Sequence, residues 1–68
     1  MARGIKVGTK LRKTDMPGFT LEVLEIITSD QGPPHARTRV RLMNQDLGER
    51  LYSVSALGDP KLFAAVTG

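Results

Sequence analysis

The chain has 68 residues, no cysteine and no tryptophan, and ten Lys/Arg against seven Asp/Glu for a formal charge of +3. That length gives one domain, 1–68, with a single layer of core, because a chain so short buries only about 60% of its unfolded surface. Disulfide staples and Cys/His zinc sites are excluded, and no apolar run approaches the roughly 20 residues of a membrane span.

The basic N-terminus has no apolar segment behind it, so it does not read as a secretory signal, and the cytoplasm is the expected compartment. Arg3, Lys6, Lys10, Arg12 and Lys13 precede the first acid, Asp15, and a second basic run is Arg37, Arg39 and Arg41. Such clusters favour anionic partners: small phosphates or carboxylates, or nucleic acid. The plainer reading is a solvated charged face. A marginal scaffold without staples also gains from self-association, so a homo-oligomer is expected.

The first few residues have little pattern and are expected to be loose. Residues 9–13 read as a first strand, with Leu11 as its apolar member and Val7 and Ile5 on the same parity. Residues 14–18, ending Pro17-Gly18, read as a turn. Residues 19–28 are the main strand. Phe19, Leu21 and Val23 share one face, and then the alternation slips at Leu24, which predicts a bulge or sharp bend. A short helix competes over Val23, Leu24 and Ile27, but β-branched content and the bounding turns favour strand.

Residues 29–36 read as a loop, since Pro33 and Pro34 cannot continue a central strand. Over 37–43 the alternation is clean, with Thr38, Val40 and Leu42 on one side and the three arginines on the other. That is a half-buried strand with a basic outer face. A polar turn over 44–48, a strand over 49–53 and a 3₁₀ turn within 53–57 follow. Gly58-Asp59-Pro60 breaks the chain before a last strand or short helix over 62–66. About five short strands with tight turns predict an all-β fold, and the smallest closed solution is an SH3-like barrel with a short 3₁₀ turn before its last strand.

Chemistry is sparse. His35 is the only histidine and reads as a surface loop residue, with no nucleophile in a recognisable motif beside it. The glycines are scattered rather than grouped into a phosphate-cradling loop. The residues that could hold an anionic ligand are Lys13, Arg50 with its fork of donors, and Tyr52 with an apolar ring and a polar tip. Each also has a plain reading as an exposed or rim residue.

Val7-Gly8-Thr9-Lys10-Leu11-Arg12-Lys13 resembles a Gly-Asp-Arg-Val-Arg-Lys-Lys first strand, and Gly48-Glu49-Arg50-Leu51-Tyr52-Ser53-Val54-Ser55-Ala56-Leu57 resembles a strand reading Val-Gln-Ile-Tyr-Pro-Val-Ala-Ala-Leu. Both belong to the type II, plasmid- and integron-borne dihydrofolate reductases, which the chain resembles from Val7 to Leu57. The resemblance implies an SH3-like barrel, a homotetramer around one pore, NADPH as cofactor, reduction of dihydrofolate, and trimethoprim resistance. It implies that Lys13 faces the pore mouth, that Leu51 offers backbone groups to the ring amides, and that Tyr52 contacts the cofactor. Arg50 stands where that family has its pore-floor glutamine, and Glu49 where it has valine. Four arginines at a pore centre would repel by roughly several kcal/mol at an effective dielectric near 20.

Two non-enzymatic readings compete. An SH3-like module could bind nucleic acid through Arg37, Arg39 and Arg41, although aromatic residues for base stacking are few. A protein-interaction or assembly domain is the other, with too few aromatics for a proline-binding groove.

Overall fold

The computed structural model describes residues 4–66, so Arg3 lies outside the described residues. Along them run β1 (Lys10–Lys13), β2 (Phe19–Ser29), β3 (Gly32–Leu42), β4 (Gln45–Ser53), a single turn of helix α1 (Val54–Leu57) and β5 (Phe63–Ala65). The strands form one five-stranded antiparallel sheet in the order β4-β3-β2-β1-β5.

The all-β class stands, but the expected closed barrel does not form. β4 and β5 end the strand order, and each is paired on one side only. The two ends of the sheet meet through side chains instead. Tyr52 and Phe63 make an edge-to-face ring contact, with centroids 5.7 Å apart and planes at 81°. Two features work against closure: β5 has only three residues to offer, and β2 and β3 extend for eleven residues each as one long hairpin. Residues 27–35 of that hairpin are exposed along their whole length.

The prolines explain how the hairpin reaches so far. The sequence places a loop over 29–36, whereas β3 runs through Pro33 and Pro34 and the turn is only Asp30-Gln31. Ile27 pairs with His35 and Ser29 with Gly32, so the register shifts between them and leaves the prolines outside regular pairs. β4 pairs with β3 only as far as His35, so no second neighbour needs an N–H from either proline.

The slip at Leu24 is a bulge, as its alternation predicts. Val23 pairs with Thr38 and Glu25 with Arg37, which leaves Leu24 unopposed. β3 and β4 are joined by Met43-Asn44, with φ of 52° and 70°, the conformation of a two-residue type I′ hairpin. The polar turn expected at 44–48 is therefore earlier and shorter, and β4 already begins at Gln45. A second bulge follows in β4. Val40 pairs with Gly48 and Arg41 with Asp46, so Leu47 is the extra residue, and Gly48 takes a φ of 85°.

One face of the sheet carries the core: Leu11, Leu21, Val23, Ala36, Val40, Leu57 and Phe63, with Ile5, Phe19, Ile26, Leu47, Tyr52 and Val54 packed around it. Val7 was expected on the core parity but is 62% exposed, because the chain turns at residues 7–8 just before β1. Thr38 is fully buried, and its hydroxyl donates to the Arg50 carbonyl at 2.9 Å. The expected 3₁₀ turn is a turn of α-helix. Ser53 caps it by accepting from the Ala56 N–H at 3.2 Å, and the Gly58 N–H returns to the Val54 carbonyl at 2.9 Å. This turn sets Leu57 into the core against β3. The Asp59 carbonyl then receives the Leu62 and Phe63 N–H groups, both at 3.0 Å, and the chain enters β5.

Candidate functional site: the outer face of the sheet

Strand alternation and register decide which side chains share the face opposite the core. Lys10 pairs with Glu22, Glu22 with Arg39, and Arg39 with Glu49, which makes one row across four strands. The neighbouring row is Ala64, Arg12, Thr20, Arg41 and Asp46, across all five strands. Beyond the Leu24 bulge, Glu25, Arg37 and Leu51 form a third. A shallow groove of about 390 Å³ lies over this surface, and Lys10, Thr20, Glu22, Arg39, Arg41 and Asp46 are among its walls.

The three arginines of β3 share this face, as their alternation predicts, but they are not equivalent. Arg37 Nη1 donates to Glu49 Oε1 at 2.7 Å and Arg37 Nε to Glu25 Oε1 at 3.1 Å. The hydrogen bond from Glu49 and then that from Glu25 hold the Arg37 pKa above its ordinary value. Arg39 Nη2 donates to Asp46 Oδ2, which raises the Arg39 pKa and lowers that of Asp46. Asp46 is lowered first by that bond and next by the Gly48 N–H, which donates to Oδ1 at 2.7 Å. Arg41 donates only to a backbone carbonyl, that of Asn44, at 3.1 Å.

The basic face is thus half neutralised by its own acids. Among the described residues, the cations on it without an ion pair are Lys10, Arg12 and Arg41. Arg12 and Arg41 flank Thr20 in one row, about 10 Å apart at the usual spacing of adjacent strands. Ala64 and Thr20 are small, so neither covers the guanidinium groups. Lys10 and Arg12 were legible only as members of an N-terminal basic cluster. Their place on the outer face follows from Leu11 pointing inward between them.

The residues singled out for a pore are split by the same alternation. Tyr52 pairs with Ala36 and Arg50 with Thr38, both on the core side, while Leu51 pairs with Arg37 on the outer face. Tyr52 is half-buried against Phe63, whereas Arg50 is exposed at the rim and makes no ion pair among the described residues. Lys13 is also on the core side, with its ammonium 5.9 Å from the Phe19 ring centroid and 4.0 Å from Asp15. His35 is exposed, and its Nδ1 is 3.0 Å from the Pro33 carbonyl oxygen. No cluster of three or more His, Cys, Asp or Glu that could hold a metal is present among the described residues. No helix there is long and apolar enough to cross a membrane.

No protein-family model, curated protein or solved structure matches the chain. Membership in the type II dihydrofolate reductases is therefore not supported, and the open sheet departs from the barrel that it implied. The dihydrofolate reductase activity, the NADPH, the four-copy pore and the trimethoprim resistance were implied by that resemblance alone. The reading is corrected to a small all-β domain of five antiparallel strands.

Proposed function

We propose that this domain is a non-enzymatic binding module whose outer sheet face takes the phosphate backbone of double-stranded nucleic acid. The observation that carries the reading is the Arg12–Thr20–Arg41 row with Lys10 beside it: cations exposed on one face, none of them in an ion pair among the described residues, with a hydroxyl between Arg12 and Arg41. Guanidinium groups and a neutral hydroxyl are the usual donors to phosphate oxygens.

Duplex is favoured over single strand because the described aromatics, Phe19, Tyr52 and Phe63, lie on the core side. Binding of single strands relies on aromatic platforms that stack bases, and the outer face offers none. Without base-reading groups in a groove, recognition is of backbone and insensitive to sequence. Arg37 and Arg39, held by Glu25, Glu49 and Asp46, support the face from within rather than contact the ligand.

The test is fluorescence anisotropy with a labelled duplex of mixed sequence, its single strand, and duplexes of other sequence, all at low salt. The duplex should bind regardless of sequence and more tightly than the single strand. Arg12→Gln with Arg41→Gln should abolish binding while the circular dichroism spectrum is unchanged. Absence of duplex binding by the wild-type chain at low salt refutes the reading.

A further inference from the structure

β4 is an edge strand, and edge strands invite another strand unless something blocks them. The other edge, β5, is blunted by its length of three residues. β4 has its defence at one end only, where the Leu47–Gly48 bulge bends it. Past the bulge, residues 49–53 have no proline, and their outer edge has no strand partner among the described residues. This stretch also carries Leu51, which is 62% exposed, and Arg50, which makes no ion pair among the described residues.

The geometry points to a second copy of this chain as the partner, added antiparallel along β4 with the two-fold axis at Leu51. Residues opposed across an antiparallel ladder share a face, so an axis that keeps both outer faces on one side must pass through a residue. An axis at Glu49 sets two carboxylates against each other, and one at Arg50 sets two guanidiniums against each other, both unfavourable. An axis at Tyr52 leaves almost no overlap before α1 begins at Val54. At Leu51, the two leucines meet on the outer face, each Arg50 opposes a Tyr52 ring on the core side, and each Glu49 opposes Ser53. Arginine over a tyrosine ring is a favourable cation–π pair. Charge and shape therefore select one register from the sequence of the edge itself.

Joined this way, the two sheets become one continuous sheet, and both Arg12–Thr20–Arg41 rows lie on the same side of it. The pairing does not depend on what those rows bind. A ladder of five residues is a small interface, well under the roughly 1,200 Å² of a standard one, so the dimer is a weak one that forms with rising concentration.

The chain lacks cysteine, which makes cross-linking a clean test. Directly opposed Cα atoms in an antiparallel pair lie roughly 4.5–5.5 Å apart, inside the about 4.4–6.8 Å that a disulfide spans. Leu51→Cys should oxidise to a covalent dimer, while Ile27→Cys, exposed on the same face but on β2 rather than on the β4 edge, should remain monomeric. Sedimentation velocity should show the wild-type mass rising toward twice 7.4 kDa with concentration, and Leu51→Lys should hold it at one chain with an unchanged fold. A wild-type chain that stays monomeric at the highest attainable concentration overturns the proposal. So does a Leu51→Lys variant that associates as the wild type does, or equal cross-linking at Ile27→Cys.

Discussion

Raising salt from about 50 to about 200 mM should weaken duplex binding about 40-fold if Lys10, Arg12 and Arg41 are the cations that meet phosphates. The magnitude follows from the ion pairs. Each phosphate neutralised contributes about −0.9 to the slope of log K against log salt, so three give about −2.7, and a four-fold rise in salt costs about 40-fold. Were Arg37 and Arg39 also to reach phosphates, the slope would be about −4.5 and the loss about 500-fold. Arg37 is held by two carboxylates, at 2.7 and 3.1 Å, and would have to leave both. Anisotropy titrations at several salt concentrations read the slope directly. Arg41→Gln should flatten it by about 0.9, and Arg37→Gln should leave it unchanged. A slope that falls equally for Arg37→Gln and Arg41→Gln refutes the division of the face into bound and free cations. A slope near zero for the wild type refutes phosphate contact altogether.

Asp46 is held below its ordinary carboxylate value of 3.8 by Arg39 and by the Gly48 N–H, so its stabilisation is fully present above that value and is lost as pH falls through the lower folded one. Melting temperature should therefore drop less steeply between pH values on either side of that range in Asp46→Asn than in the wild type, and an identical drop would count against the pairing. Gly48→Ala meets no neighbour within 4 Å, so its cost is the backbone's alone: about 1–2 kcal/mol for a side chain at φ 85°, read from the urea midpoint. Leu57→Ala should cost about 2–5 kcal/mol, comparable with the whole stability of about 3–10 kcal/mol for a domain of this size, and so leave much of the chain unfolded at room temperature by circular dichroism. Ser53→Ala, which removes the acceptor for the Ala56 N–H, should cost about 1 kcal/mol in the same urea assay.

Local pattern carried the strands well where both faces of a strand have distinct chemistry. Thr38, Val40 and the arginines between them declare their sides, and the Leu24 bulge shows as a slip in phase. It failed where the decisive fact is who lies alongside. Pro33 and Pro34 forbid a central strand, but beyond His35 β3 has a neighbour on one side only, and nothing near the prolines in sequence says so. Met43 at positive φ is an uncommon choice for a type I′ turn, so that turn carries no Asn-Gly signal and was placed too late. Closure depends on whether β4 reaches β5, a contact between strands ten residues apart whose own sequences do not encode it.

The outer face was legible as basic, but which arginines are free was not, because that depends on register. Below the bulge in β4, Arg41 opposes Asp46; carried on without a bulge, with Leu47 opposite Val40, the same register would set Arg39 against Gly48 and Arg37 against Arg50. That arrangement would place two guanidiniums side by side and turn Leu51 toward the core face, since a slip of one residue exchanges the faces of a strand. The extra residue moves Glu49 opposite Arg39 and within 2.7 Å of Arg37, and it moves Arg50 to the rim of the core side. A single bulge, permitted by one glycine at positive φ, thus neutralises the centre of the basic face and leaves its Arg12–Arg41 end charged. The same shift leaves Leu51 exposed on the edge strand, so the register of β4 sets both which cations of the outer face stay out of ion pairs and which side chains line the open edge.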